Sequence, residues 1–278
     1  MGAMTALTDA YLSRIGVTAP AAPDVDALRR IVAAHTAVIP FENLDPLCGI
    51  PVADLSADAL SDKLIARRRG GYCYEHNGLL GYVLDDLGYE VQRLAGRVVW
   101  MHDGADLPAQ THQALAVTLP DGDGPWLVDV GFGGQTPSSP MRLRTGPVQQ
   151  TRHEPYRLLD HAEGVELQAE IRGEWRSLYL LGLRPRPRID LEVGSWYVST
   201  FPHSGFVTGL RAALVTDDAR WNLSGRRLTV HRADGSDTTL LDGPADVVEV
   251  LESRFGIAVA DLGDRAELQR RIAEVIDI

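Results

Sequence analysis

The spacing of apolar residues changes once along this chain, close to Gly88, and that change restricts the fold more than any other feature. Before it, apolar positions recur at helical intervals: Asp24 stands ahead of Val25, Leu28, Ile31 and Val32, Ser56 stands ahead of Leu60, Leu64 and Ile65, and a third run through Leu79, Leu80, Val83, Leu84 and Leu87 stops at Gly88. Asp and Ser side chains accept hydrogen bonds from the open N–H groups of a helix start, and a glycine after the last turn tolerates the left-handed backbone that ends one. From Tyr89 on, the pattern becomes short β-branched runs at 91–100, 112–119, 126–130, 165–171 and 175–180, with Asp121-Gly122-Asp123-Gly124 between two of them as a hairpin signal. The fold class expected is therefore α+β: a helical part over 1–88, an antiparallel sheet or small barrel over 89–188, and a compact α/β unit over 189–278. Arg184-Pro185-Arg186-Pro187-Arg188 interrupts the strands as a linker would. Beyond it, strands are expected near 212–216 and 228–241, folded about Asp234-Gly235, followed by helices over 245–255 and 265–276.

Composition excludes several functions. With 278 residues, 45% hydrophobic and 23% charged, the chain can bury one large or several small cores. Lys plus Arg number 27 against 38 Asp plus Glu, and a net charge of -11 repels phosphate backbones, so nucleic acid is not an expected partner. Lys63 is the only lysine; it lies in Ser61-Asp62-Lys63-Leu64, which rules out a Gly-Lys-Ser/Thr phosphate loop and leaves one residue for Schiff-base chemistry. Two cysteines, Cys48 and Cys73, cannot form a disulfide framework. No run approaches the roughly 20 apolar residues of a membrane span. Met1-Gly2-Ala3-Met4-Thr5 lacks the regions of a signal peptide, so the expected location is cytoplasmic, with Met4 a candidate natural start.

Cys73 sits in the most informative stretch, Arg67-Arg68-Arg69-Gly70-Gly71-Tyr72-Cys73-Tyr74-Glu75-His76-Asn77. A thiol after two glycines at a helix start is where a thiolate is favoured, because the helix dipole and nearby arginines stabilise the anion and glycines bring free N–H groups close to a substrate oxyanion. The same pattern also fits a buried structural cysteine. A nucleophile needs a base and an orienter, and the strand region offers His112 at the opening of one apolar strand and Asp129 inside another. An ionisable group there is costly unless paired. Each alone reads equally as a satisfied hydrogen-bonding residue; on adjoining strands of one hairpin they can face each other. Cys, His, Asp is the chain order of papain-like and transglutaminase-like thiol enzymes.

Arg69-Gly70-Gly71-Tyr72-Cys73-Tyr74-Glu75-His76-Asn77 resembles the signature of the arylamine N-acetyltransferases. Pro40-Phe41-Glu42-Asn43-Leu44, Thr111-His112, Val128-Asp129-Val130-Gly131-Phe132-Gly133 and Ser199-Thr200-Phe201-Pro202-His203-Ser204-Gly205-Phe206 resemble that family's other motifs in the same order and spacing. The likeness is greatest to bacterial, particularly actinobacterial, members, in keeping with heavy Ala and Arg use. It implies a helical bundle, β-barrel and α/β lid around a cysteine-protease-like core, with Cys73, His112 and Asp129 as the triad. It also implies ping-pong transfer from acetyl-CoA as co-substrate to an aryl acceptor in xenobiotic metabolism, through an acetyl-cysteine thioester and without a metal. By the same resemblance Phe41, Tyr74, Phe132 and Phe206 lie in motifs brought to the cleft, where each reads equally as a core residue, and Glu42 and Arg69 form a supporting charge pair; Thr111 and Gly131 flank the triad residues, where they either contact the acetyl donor or serve only the geometry of the loop.

Two rivals use the same residues. A thiol hydrolase needs the same triad, and Cys73-x-x-His76 is a fragment of a metal site, though without a second cysteine pair. Cys48, in Leu47-Cys48-Gly49-Ile50-Pro51, reads as a packed or loop cysteine, and His76 on the nucleophile's own helix lacks a carboxylate to orient it, so His112 is the better base.

Overall fold

The computed structural model describes residues 5–102 and 106–276; Met1–Met4, where the alternative start falls, lie outside them. Helices Ala6–Ile15, Val25–Val38, Ala57–Ser61 and Cys73–Leu87 build the N-terminal part. Asp24 accepts a hydrogen bond from Ala27 N at 2.7 Å, Ser56 caps from Ala59 N at 3.3 Å, and Gly88 ends the last helix at φ 95°. Leu28, Ile31, Leu60, Leu64, Leu80, Val83 and Leu84 of the three helical runs are fully buried in one core, with Val25, Ile65 and Leu87 packed against it partly buried.

Seven strands follow as one antiparallel sheet, from its edge strand Met141–Arg142 through Trp126–Val128, Gln110–Thr118, Glu90–Val98, Glu174–Gly182 and Gly164–Ile171 to Tyr156–His161. The expected hairpin is present, with Leu115 opposite Val128 and Val117 opposite Trp126. The sheet curls without closing strand to strand. Its two edges are bridged through Gln149, whose side-chain amide accepts from Arg142 N at 2.7 Å and donates to Arg142 O at 2.8 Å, while its backbone exchanges two hydrogen bonds with Tyr156. An edge-strand mimic of this kind satisfies the open ladder groups without a further strand.

Two features depart from the sequence expectation. The linker ends at Pro187, and Arg188–Thr200 is a helix. Its buried residues Leu191, Ser195 and Val198 have helical spacing, but Ile189, Val193, Trp196 and Tyr197 are exposed, so apolar residues circle the helix and blur its period. Ser195 and Ser199 fasten it to Val52 by hydrogen bonds of 2.7 and 3.0 Å. The second feature is the two-residue strand Phe41–Glu42, which leaves the helical part and pairs with Arg211–Val215 as the edge of a C-terminal sheet continued by Arg220–Ser224, Arg227–Arg232 and Gly235–Leu240. Helices Pro244–Ser253 and Arg265–Ala273 pack on that sheet, and Leu44 and Leu47 enter the same core. No helix among the described residues is long and apolar enough to cross a membrane.

Candidate active site

Cys73 is the first residue of its helix, held there by close backbone packing. A Cβ on Gly70 would lie 2.0 Å from Pro40 O, so only glycine lets this loop run against Pro40–Phe41, where Glu42 N donates to Gly71 O at 2.7 Å. Glu75 Oε2 accepts from Tyr72 N at 3.1 Å and fixes the helix start. Beneath it lies a buried ion cluster: Arg69 binds Glu42 at 2.7 Å and Asp45 at 2.9 Å, and Lys63 binds Asp45 and Glu75, each at 2.5 Å. Glu42 and Arg69 are thus not solvated surface charges. The chain's one lysine lies in this cluster, away from any exposed amine chemistry.

His112 lies near the start of its strand, and its Nε2 is 2.7 Å from Asp129 Oδ2. Asp129 does not lie inside a strand as expected: the strand ends at Val128, and Asp129 Oδ1 accepts from Gly131 N at 3.0 Å and Asn77 Nδ2 at 2.9 Å. A side chain bonded to the backbone two residues on makes a turn where the ladder stops. With Nε2 engaged by Asp129, Nδ1 is the ring nitrogen left to face the Cys73 sulfur, which lies close enough to raise the ring electrostatically. Cys73 Sγ also lies 3.6 Å from Thr111 O. The His112 ring is packed by Tyr179, 4.6 Å between centroids, and by Phe132, edge-on at 5.3 Å.

Burial opposes charge on His112, yet the Asp129 carboxylate and the Cys73 sulfur outweigh it and push the ring up to about 10. Burial likewise opposes charge on Asp129, and His112, Asn77 and Gly131 N hold the carboxyl below its ordinary range. The signs follow: the His112 charge contributes stability in full below 6.5 and loses it as pH rises toward about 10, whereas Asp129 contributes above 3.8 and loses it as pH falls through its lowered value. His112 is therefore expected to stay charged from about pH 6 to 9, and to lose its charge at far lower pH in Asp129→Asn, as histidine ¹⁵N titrations would read. A parental ring that titrates near 6.5 contradicts this.

A cavity of about 760 Å³ opens on the thiol. Phe41, Thr111, Gly131, Phe132 and Phe206 line it with Cys73 and His112. Tyr74 does not: it is buried, with its hydroxyl donating to Gln110 O at 3.4 Å and its ring against Gly194. Adjacent helix positions point about 100° apart, so the neighbour of Cys73 turns away from the cavity. His76 is no base either, because its ring nitrogens face His35 and the carbonyls of Pro40 and Gly71. That engagement removes it as a metal ligand too.

A family model described as N-acetyltransferase matches residues 24–263. An arylamine N-acetyltransferase of Mycolicibacterium smegmatis is 63% identical over 268 residues, covering 96% of this chain and 97% of that protein. The chain belongs to the arylamine N-acetyltransferase family. Solved structures agree: an arylamine N-acetyltransferase of M. smegmatis superposes with TM-score 0.95 at 62% identity over 99% of this chain and 100% of that one. The Mycobacterium marinum arylamine N-acetyltransferase solved in complex with CoA superposes with TM-score 0.94 at 60% identity over 96% and 99%.

Motif reading of this arylamine N-acetyltransferase family member does not reach the groups that hold Asp129 and the Phe206 loop in place. Asn77 ties the strand of His112 to the turn after Val128, donating to Asp129 and to Gln113 O at 2.7 Å while accepting from Val130 N at 3.1 Å. Asn43 donates to Phe206 O at 2.8 Å and Gly209 O at 2.7 Å and accepts from Arg211 N, locking the loop that carries Phe206. Asn77 and Asn43 lie inside quoted motifs, but only the fold reveals their partners. Tyr179 lies in an apolar strand without a distinguishing signal. Gly131 has a steric role as well: a Cβ there would meet Cys73 Cα at 2.6 Å. Gly131→Ala is expected to lower the rate of Cys73 alkylation by roughly 10²-fold, since about 1 Å of misplacement has that effect. An alanine variant alkylated at the parental rate would show that this contact is relieved without moving Cys73.

Proposed function

We propose that the chain transfers acetyl from acetyl-CoA to the neutral nitrogen of an arylamine, arylhydrazine or arylhydroxylamine through an acetyl-Cys73 intermediate. The observation that carries the reading is the buried His112–Asp129 pair beside a thiol that opens on a cavity of about 760 Å³. Its size suits a small aryl acceptor together with the thioester end of a donor, and Phe41, Phe132 and Phe206 offer rings to flank the aryl group.

The Cys73 thiolate, paired with the His112 imidazolium, attacks the thioester carbonyl. The carbon–sulfur bond to CoA breaks, and His112 gives its proton to the departing thiolate. Glu75 N and His76 N donate to Tyr72 O, which leaves the Cys73 and Tyr74 N–H groups of the first turn without an intrahelical acceptor and available to the transient oxyanion. The aryl nitrogen then attacks the acetyl carbonyl, His112 takes the proton that nitrogen loses, and the Cys73 thiolate leaves, restoring the ion pair. Asp129 keeps Nε2 protonated and stabilises the imidazolium throughout. Thiol-for-thiol exchange is nearly balanced, and the amide makes the second half downhill.

The thiol-hydrolase alternative uses the same three residues and differs in the acceptor. CoA release from acetyl-CoA, followed with a thiol reagent, should stop after about one equivalent without amine and become continuous when an arylhydrazine is added. Continuous release at the same rate with water alone would establish the hydrolase.

A further inference from the structure

Next to the active site, three fully buried side chains from three helices form a single file. Tyr11 Oη is 2.7 Å from His35 Nδ1, His35 Nε2 is 2.7 Å from His76 Nδ1, and His76 Nε2 is 3.1 Å from Pro40 O and 3.0 Å from Gly71 O. Carbonyl oxygens only accept, so His76 Nε2 must carry the hydrogen. Its Nδ1 is then the acceptor for a neutral ring, which obliges His35 to be protonated on Nε2 and to accept on Nδ1 from the Tyr11 hydroxyl. Every donor in the file points toward the same two carbonyls. Burial supports the assignment by disfavouring charge: it pushes His76 down to about 4 and His35 well below its ordinary value. A second proton on His35 would make the Tyr11 hydroxyl an acceptor, and one on His76 would make His35 Nε2 an acceptor, so either would reverse part of the file.

The two carbonyls belong to the segments that shape the site. Gly71 lies two residues before Cys73, and Pro40 precedes Phe41, which lines the cavity and stacks on the His76 ring at 6.4 Å and 10°. These segments touch through a short bridge in which Glu42 N bonds Gly71 O at 2.7 Å, while Gly71 N reaches Pro40 O only at 3.4 Å. The shared His76 donor closes the weak side of that bridge. On the other side, His76 Cβ packs where Gly131 passes the nucleophile's backbone.

We propose that His76 is a positioning residue for Cys73, clamping the Pro40 and Gly71 carbonyls together through a one-way hydrogen-bond file that begins at Tyr11. The inference rests on Cys73 being the nucleophile, and its test reads alkylation of Cys73 rather than acetyl transfer. A chain that alkylates as expected yet takes no acetyl from acetyl-CoA contradicts the proposed function alone.

Two measurements test it. Long-range ¹H–¹⁵N spectra of the histidine-labelled parental protein, assigned with His35→Gln and His76→Gln, should show both rings neutral with hydrogen on Nε2 at pH 7. Either ring carrying hydrogen on Nδ1 overturns the file. For function, His76→Leu removes the donor, whereas His76→Gln puts an amide N–H at similar reach. In folded protein, judged by circular dichroism, His76→Leu should slow iodoacetamide alkylation of Cys73 roughly tenfold or more, and His76→Gln should stay within about threefold of the parent, as expected of lost and restored alignment. If the leucine variant does not fold, His76→Asn, whose donor falls one methylene short, replaces it with the same expected loss. A folded variant without the donor that alkylates at the parental rate, or a glutamine variant as slow as the leucine one, overturns the role.

Discussion

Replacing Cys73 by serine should abolish acetyl transfer, while Cys48→Ser should leave most of it intact. The two cysteines differ in surroundings more than in exposure. Cys73 opens a helix beside the charged imidazole of His112, whereas burial pushes the half-buried Cys48 thiol up to about 11. No imidazole stands among the groups that shift Cys48, and at neutral pH it stays a thiol, a poor nucleophile. A serine hydroxyl at position 73 does not ionise beside imidazole at neutral pH, so geometry alone cannot restore the reaction. Steady-state transfer from acetyl-CoA to an arylhydrazine measures both variants. Comparable losses in the two would contradict a single nucleophile.

Asp129→Asn should lower transfer by roughly 10⁴-fold, by analogy with the same exchange in serine triads. Asp129 is buried, and it accepts from Asn77 Nδ2, Gly131 N and the ring Nε2. An amide at this position withdraws the charge that stabilises imidazolium. It can also turn its N–H₂ toward His112 and select the tautomer protonated on Nδ1, the nitrogen that has to meet the thiol. Turned the other way, its N–H₂ replaces Oδ1 and leaves both Asn77 Nδ2 and Gly131 N without their acceptor, at a cost in stability. The rate therefore has to be read on protein shown to be folded by circular dichroism. A folded Asp129→Asn protein with a near-parental rate would remove Asp129 from the site and require another orienter for His112.

Chemistry was more legible in the sequence than geometry. Gly70-Gly71 ahead of Cys73 announces a close backbone approach, and an ionisable residue at the edge of an apolar run announces a partner; these are local properties. The strand Phe41–Glu42 is not local: two residues are too few to show a period, and the strand exists because Arg211–Val215, about 170 residues away, offers an edge. The helix Arg188–Thr200 was hidden for the opposite reason, because apolar side chains on its exposed face cancel the contrast that marks an amphipathic helix. Tyr74 shows how adjacency misleads, since sharing a motif with the nucleophile does not mean sharing its face of the helix. Partners such as Asn77, His35 and Tyr179 become functional only through what the fold sets beside them.

The central claim is that acetyl is carried on Cys73, and intact mass spectrometry tests it most directly. After mixing with excess acetyl-CoA and rapid removal of free ligand, the protein should gain the mass of one acetyl group, mapped to the peptide containing Cys73, and an arylhydrazine should remove it with formation of one equivalent of acetylated product. A protein that turns over acetyl-CoA and arylhydrazine with no acetyl on Cys73 at any time, or with acetyl that the arylhydrazine does not remove, would contradict the account.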